Sequence, residues 1–348
     1  MKKFISFALC ASFMLCMTGC ESKEKEPVPV YDPAPPFAPL TEIKEGRKDV
    51  YLIIKDIESS YWQVVVDGAK DGGDDLDCNV YYSGCYNESD WESQSRLLDE
   101  AVSAGADAVL LAPNDSVKLS AKIEEVYSKG VRIVLVDTTA NTESYDVCYM
   151  TDNLMAGQQA SAEMIEQLHN KGYTDDEELG IGVQVITTTS QTINERLAGF
   201  LQYWAKNAPV KWSVIPDIKY NDGDIDRGYE VARELIRDYP KMKGLFGTNN
   251  SSAFTLATAI KEKERTDIVL VGFDYSDEIA ELINSDEYTA STVIQRQYDM
   301  AYDGIRTALE LTDGKKTEQK FIDTGTIVVD PDNIDAPEVL EALGHNRG

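Results

Sequence analysis

The sequence predicts an α/β protein with two doubly wound parallel sheets. From Asp49 onward, short β-branched runs alternate with longer segments of helical period. The short runs are continuously apolar, which is typical of parallel strands covered by helices on both faces. The alternation occurs in two series, and a chain of 348 residues with 43% hydrophobic content is long enough for two cores.

Each series predicts its elements in order. In the first series they are the strand VYLIIK, the helix WQVVVDGAKDGGDDL, the strand NVYYSG, the helix WESQSRLLDEAVSAG, the strand ADAVLLAP, the helix SVKLSAKIEEVYSKG and the strand VRIVLVD. The segment YDVCYMTDN and the helix AGQQASAEMIEQL lead into the second series. Its elements are LGIGVQVIT, the helix ERLAGFLQYWAK, KWSVIPDIKY, the helix GYEVARELIRDY, GLFGTNN with its helix, IVLVGFD, YTASTVIQ and the helix YDMAYDGIRTALEL.

The N-terminus predicts export. Residues 1–20 have a basic start, an apolar run and then small residues before Cys20, which indicates a cleaved signal or a short membrane anchor. The end of this segment, MTGC, resembles the lipobox of bacterial lipoproteins, which implies that Cys20 carries lipid on the cell surface or in the periplasm. Residues 21–47 hold six of the twelve prolines and predict an extended tether, while residues 336–348 predict a tail.

Composition argues against several classes of function. The chain has 61 acidic and 33 basic side chains and no Lys/Arg cluster, so nucleic-acid binding is not expected. It has two histidines and no GxSxG, P-loop or HExxH motif, so neither an enzyme nor a cofactor is predicted. The cysteines of the body, without a CxxC motif, predict buried thiols; they are Cys78, Cys85 and Cys148.

The segment DGDIDRG has some features of a calcium-binding loop. Asp222, Asp224 and Asp226 alternate, but the Gly and Glu that a calcium loop needs at its sixth and twelfth positions are Arg227 and Arg233. We expect Asp226 to cap the following helix instead, and no metal site is predicted.

Polar side chains follow nearly every predicted strand. Ligands of doubly wound sheets bind outside the carboxyl ends of the strands. Asp and Asn also serve as helix caps, which accounts for each one singly, but caps do not need the aromatic pair and arginine found at the same edge. Carboxylates, amides, an arginine and aromatic faces together are suited to a small polyol. These residues are Lys55, Tyr61, Trp62, Asn114, Asp137, Asn153, Arg196, Asn249, Asp274 and Gln295.

The ordered motifs ESSYWQ, LLAPNDS, IVLVDTT, YMTDN, NERLAGF, LFGTNN, LVGFD and STVIQ resemble the ribose-binding-protein-like branch of type I solute-binding proteins. The resemblance covers about residues 48 to 330. It implies two Rossmann-like lobes joined by a three-segment hinge, with a ligand cleft between them. The lobes would comprise residues 48–151 with 296–323 and residues 152–295 with 324–335.

The resemblance also assigns roles to residues. It implies that Tyr61 and Trp62 sandwich a sugar face and that Arg196 binds ring oxygens. Further ligand contacts are implied at Asp137, Asn153, Asn249, Asp274 and Gln295. Further candidates for ligand contact are Lys55, Asn114, Thr138 and Tyr220, the last because the family often has an aromatic residue in this connection. Departures from the family pattern at Lys55, Ala112 and Thr138 leave the identity of the sugar open.

The predicted function is a monomeric, lipid-anchored receptor that closes around a monosaccharide or polyol and delivers it to an ABC permease. The alternative is a sensory component that presents the same ligand to a histidine kinase or chemoreceptor. A transcriptional regulator of similar fold is disfavoured by the export signal. A glycosidase that uses Asp137 and Asp274 is disfavoured because the lobes must close around an intact ligand.

Overall fold

The computed structural model describes residues 31–345, so the predicted signal peptide and Cys20 lie outside the described residues. The strands are β1 (Ala38–Pro39), β2 (Asp49–Ile54), β3 (Asn79–Gly84), β4 (Ala108–Leu111), β5 (Arg132–Val136), β6 (Val147–Met150), β7 (Leu179–Val185), β8 (Trp212–Val214), β9 (Lys219–Tyr220), β10 (Met242–Gly247), β11 (Val269–Phe273), β12 (Thr289–Gln295), β13 (Phe321–Asp323) and β14 (Thr326–Val329). The helices are α1 (Ser60–Asp75), α2 (Trp91–Ala104), α3 (Ser120–Ser128), α4 (Asn153–Asn170), α5 (Gln191–Asn207), α6 (Ile225–Asp238), α7 (Asn250–Glu262), α8 (Asp277–Ile283), α9 (Gln297–Thr312) and α10 (Pro337–Ala342).

The first lobe is built on a sheet with the strand order β1-β3-β2-β4-β5-β6-β13. All its pairs are parallel except β1 with β3. The side chains of β2 alternate between two cores: Leu52 packs with α1 and α9, whereas Ile53 packs with α2 and α3. Burial on both faces explains why these strands read as continuous apolar runs.

The second lobe is built on a sheet with the order β14-β12-β11-β10-β7-β8, and β9 also pairs with β7. Its strands are parallel except for β14, which runs antiparallel to β12. Helices α4 and α5 cover one face, while α6, α7 and α8 cover the other. The predicted fold class, two doubly wound parallel-sheet lobes, is confirmed.

The chain passes from one sheet to the other three times. It does so between β6 and α4, between β12 and α9, and between β13 and β14. Residues 31–345 belong to one compact unit. The carboxyl ends of the parallel strands of both sheets consequently meet between the lobes, where the doubly wound topology predicts a ligand site.

The predicted end of the tether, at residue 47, lies too far along the chain. Phe37 packs edge-on against Tyr51 at 4.8 Å, β1 pairs with β3, and the Thr41 hydroxyl donates to the Cys78 carbonyl at 3.1 Å. Composition predicted an extended spacer through residue 47, but an edge strand needs only free backbone groups and a few apolar contacts. Residues from about Ala34 onward therefore belong to the first lobe.

The predicted tail is also part of the body. Residues Val339, Ala342 and Leu343, in and just after α10, are buried in the core of the second lobe. The predicted strand KWSVIPDIKY is divided into β8 and β9, because Pro216 between them has no N–H to give to a ladder. The remaining predicted elements have their predicted type.

The cysteines behave as predicted. Cys78, Cys85 and Cys148 are free and buried. Burial raises the pKa of the Cys78 thiol to about 11 and raises those of the other two further, so all three are inert thiols. Across residues 31–345, no helix has the length and apolar character needed to span a membrane.

Candidate ligand-binding site

An inner cavity lies between the lobes at the carboxyl ends of the strands. It collects charged, amide and aromatic side chains from both lobes, as a site for a polar ligand requires. Its lining residues are Lys55, Tyr61, Trp62, Glu88, Asp137, Thr192, Ile193, Arg196, Asn249, Asn250, Asp274 and Gln295.

The first lobe contributes a paired carboxylate. Asp137 follows β5 in the left-handed region, with φ at 64°, and its backbone N–H donates to the Tyr149 carbonyl at 2.8 Å. Lys55 Nζ lies 2.8 Å from Oδ2, and the hydroxyls of Tyr61 and Thr138 donate at 2.7 and 2.6 Å. Burial alone would raise the pKa of Asp137, but Lys55 and these hydroxyls outweigh it and lower the pKa below its ordinary value.

The second lobe has a carboxylate in the corresponding place. Asp274 follows β11 with φ at 69°, and its N–H donates to the Val293 carbonyl at 2.8 Å. Its carboxylate accepts from Gln295 Nε2 at 2.8 Å and from the Asn250 N–H at 3.2 Å. Burial raises its pKa to about 6, against the opposing attraction of Arg196.

Arg196 is held by neutral acceptors. Its Nε and Nη2 donate to Asn153 Oδ1 at 3.2 and 2.7 Å, and Nη1 donates to the Thr248 carbonyl at 2.6 Å. The guanidinium lies 3.4 Å over the Phe273 ring. Burial lowers the pKa of Arg196, although a guanidinium remains charged in proteins. Asn153 is not among the residues that line the inner cavity, and its side-chain oxygen positions Arg196.

The aromatic pair has a geometry that differs from the implied sandwich. The rings of Tyr61 and Trp62 lie 4.9 Å apart at 83° to each other, because neighbouring positions on α1 point in different directions. The Trp62 ring N–H donates to Glu88 Oε1 at 2.9 Å. The two rings therefore line one side of the cavity and do not form parallel walls.

Two of the further candidates, Asn114 and Tyr220, lie away from the inner cavity. Asn114 donates from Nδ2 to the Asn87 carbonyl at 3.2 Å, and Tyr220 packs against the core of the second lobe. Neither is among the residues that line the inner cavity in the described part of the chain. Thr138 does not line it either, but its hydroxyl supports Asp137.

Sequence reasoning missed four lining residues, namely Glu88, Thr192, Ile193 and Asn250. Glu88 lies just beyond the end of β3, so the strand-end rule could have found it. Desolvation raises the pKa of its carboxyl group. Thr192 and Ile193 belong to the first turn of α5, one turn before Arg196, and carried no motif of their own.

The predicted helix cap in DGDIDRG is displaced. Asp224, not Asp226, caps α6, because its carboxylate accepts from the Arg227 N–H at 3.0 Å. No cluster of three or more His, Cys, Asp or Glu side chains fit for a metal occurs within residues 31–345. The same segment touches the first lobe, since Asn87 Nδ2 donates to the Gly223 carbonyl at 3.0 Å.

The family model and the most similar relatives point to the same protein family. Residues 50–316 match the model of the periplasmic binding protein domain. The chain is 25% identical to a D-ribose/D-allose-binding protein of Pseudomonas aeruginosa, over 92% of this chain and 95% of that one. It is 24% identical to a D-apiose import binding protein of Actinobacillus succinogenes, over 80% and 83% of the two chains.

Solved structures agree. A carbohydrate transporter solute-binding protein of Agrobacterium radiobacter in complex with D-arabinose is 28% identical, with a TM-score of 0.79 over 86% of this chain and all of that one. An ABC transporter solute-binding protein of Agrobacterium vitis with bound D-fucose is 27% identical, with a TM-score of 0.76 over 84% and 98% of the two chains. These relatives are binding proteins of transport systems, in agreement with the prediction that this chain is not an enzyme. The chain belongs to the periplasmic binding protein family, in its type I, ribose-binding-protein-like branch.

Proposed function

We propose that this protein is an extracytoplasmic receptor that binds a monosaccharide or similar polyol between its lobes and delivers it to an ABC permease. In this proposal it is a monomer tethered to the membrane by lipid on Cys20. Binding closes the lobes about the hinge, and the closed form is the one that the permease recognises.

The observation that carries the proposal is the pair of carboxylates, Asp137 and Asp274, that the two lobes bring to one cavity with Lys55 and Arg196. Carboxylates accept hydrogen bonds from hydroxyls, while the cations donate to ring and hydroxyl oxygens. A ligand that satisfies both carboxylates contacts both lobes and therefore favours closure. The relatives that bind ribose, allose, apiose, arabinose or fucose support a sugar as the ligand.

A thermal-shift screen tests ligand binding. The chain starting after Cys20 is scanned with monosaccharides, polyols and nucleosides, because a ligand that binds only the folded state raises the melting temperature. We expect at least one sugar or polyol to raise it. Asp274→Asn should reduce the shift strongly, while Asp176→Asn, which changes an exposed carboxylate outside the cavity, should leave it intact. A screen without any shift would refute the proposal.

Anchoring and delivery need separate tests. Cys20→Ala should move the exported protein from the membrane to the soluble fraction and abolish labelling with a fatty-acid probe. Export of the variant without any change in membrane association would contradict the lipid anchor. For delivery, the sugar-loaded receptor should stimulate ATP hydrolysis by its reconstituted permease, whereas the Asp274→Asn variant should not.

A further inference from the structure

A second, larger cavity adjoins the inner cavity, with which it shares lining residues. We name it the outer cavity. The two share Tyr61, Glu88 and Asn250, and the outer cavity has a volume of about 620 Å³ against about 20 Å³ for the inner one. The inner volume corresponds to about one water molecule, whereas the outer one lies within the range of ligand pockets. A ligand seated on the inner residues has room to extend outward between the lobes.

The outer cavity has a definite chemistry. Four tyrosine and phenylalanine rings line it: Tyr61 and Tyr86 from the first lobe, and Phe254 and Tyr275 from the second. Five carboxyl groups and the imidazole of His345 also line it, and no Lys or Arg from residues 31–345 does. The carboxylates belong to Asp56, Glu58, Glu88, Asp277 and Glu278. Such a lining accepts hydrogen bonds, covers flat apolar C–H faces and repels anions.

An independent observation comes from the second crossing between the lobes. Gln297, the first residue of α9, lines the outer cavity, is 1% exposed, and has a buried Oε1 without a hydrogen-bond partner. Gln295, two residues earlier, likewise has a buried, unpartnered Oε1 and lines the inner cavity. A buried acceptor without a donor is costly. A ligand with hydroxyls in both cavities would satisfy both amides.

We propose that the outer cavity is a second sugar subsite, so that a sugar bound to the inner cavity is held more tightly when it carries a second unit, as in a disaccharide or another glycoside. This inference rests on the proposed function, because one unit of the ligand binds to the side chains of the inner cavity as the lobes open and close around it. The outer unit is rich in hydroxyls and carries no acidic group. Its hydroxyls donate to Gln297 and to the carboxylates, and its C–H faces pack on the aromatic rings.

Isothermal titration with matched ligands tests the subsite. The panel pairs glucose, galactose, xylose and arabinose with disaccharides and methyl glycosides of each, and includes disaccharides with a uronic acid as the outer unit. We expect one neutral disaccharide to bind at least about tenfold more tightly than its parent monosaccharide, the equivalent of one further well-made contact. The uronic-acid counterpart should bind more weakly than that neutral disaccharide.

Variants locate the effect. Tyr86→Ala, at a side chain that is 39% exposed and therefore tolerant of change, should weaken disaccharide binding about fivefold and monosaccharide binding less than twofold. Phe254→Ala should act in the same direction. Tyr203→Ala removes an aromatic ring of α5 that does not line the outer cavity, and it should change neither affinity.

The outcomes separate the two proposals. Equal affinity for monosaccharides and disaccharides, or equal effects of Tyr86→Ala on both, would overturn the second subsite and leave the sugar receptor standing. Tighter binding of the uronic-acid disaccharides would also overturn the subsite as described. An absence of binding by every sugar would instead refute the proposed function itself.

Discussion

The two lobes place a carboxylate at the same point of their folds but shift its pKa in opposite directions. Asp137 and Asp274 each follow a central strand, adopt a positive φ and donate from the backbone to the neighbouring strand. Asp137 has Lys55 at ion-pair distance, and its pKa is lowered. Asp274 accepts only from neutral groups, and its pKa is raised to about 6. The difference lies in the partners, since both side chains are buried.

This difference divides the work of binding. In the first lobe, Asp137 Oδ2 already accepts from Lys55 and Thr138, and Oδ1 accepts from Tyr61 and can take one further hydrogen bond, so the ion pair is preformed before a ligand binds. In the second lobe, Asp274 is an ionisable acceptor that Arg196 attracts, but no Lys or Arg of residues 31–345 forms an ion pair with it. Hydroxyl donors from a ligand would stabilise the charged form of Asp274. We therefore expect Asp274 to respond most strongly to ligand and to pH.

The largest expected effect comes from neutralising the paired carboxylate. Asp137→Asn leaves the Lys55 ammonium, whose side chain is 5% exposed, without its counter-ion. Breaking a buried pair by removing one partner costs about 3–5 kcal/mol. Urea unfolding at pH 7 should show a loss of this size. Asp274→Asn is the matched control and should not destabilise the protein, so equal losses in both variants would break the comparison.

A second prediction concerns the pH dependence of stability. The pKa of Asp274 is raised from its ordinary value of 3.8 to about 6, so the folded state binds this proton more tightly than the unfolded state. The stability contributed by Asp274 is present below pH 3.8 and is lost as the pH rises through about 6. A rise of this size corresponds to about 3 kcal/mol.

The Asp274→Asn variant isolates this effect from other titrating groups. Its free energy of unfolding should match that of the wild type near pH 4 and exceed it by up to about 3 kcal/mol near pH 8. Asp56, whose pKa burial raises to about 7, titrates in both proteins and cancels in the difference. A difference that does not change between pH 4 and pH 8 would show that Asp274 is not perturbed.

Much of this arrangement could be predicted from the sequence because topology controls it. Parallel strands align their carboxyl ends, so the residues after each apolar run were expected to converge, and Asp137, Asn249, Asp274 and Gln295 do. Lys55, which directly follows β2, also lines the inner cavity, as the convergence of strand ends predicts. The sequence does not specify which partners these side chains choose, because Lys55 and Asp137 lie 82 positions apart and meet only through strand order.

The tether boundary was predicted from composition and Tyr220 from the family resemblance, whereas backbone geometry decides where both segments lie. The Pro-rich segment was assigned to a spacer, but the Leu40 N–H donates to the Val80 carbonyl at 2.8 Å and fixes it to a sheet edge. Tyr220 was expected to face the ligand, but the short β9 turns it toward the core. The positive φ of Asp137 and Asp274 could not be predicted from the sequence. Asp adopts this conformation more often than most residues do, but the residue type alone does not show which Asp adopts it.

The smallest expected effect tests whether neutral donors help to keep Asp137 charged. Thr138→Val removes the hydroxyl that donates to Oδ2 at 2.6 Å, and losing one such hydrogen bond costs about 1 kcal/mol. The lowered pKa of Asp137 contributes stability above its unfolded pKa that is lost as the pH falls through the folded value. Without the hydroxyl, that loss of stability should begin at higher pH.

The control is Thr292→Val, which removes a hydroxyl bonded to the Asp274 backbone carbonyl at 2.6 Å. It should cost a similar free energy at pH 7 but leave the acid limb of unfolding unmoved. If both variants shift the acid limb equally, the Thr138 hydroxyl has no special role in lowering the pKa of Asp137.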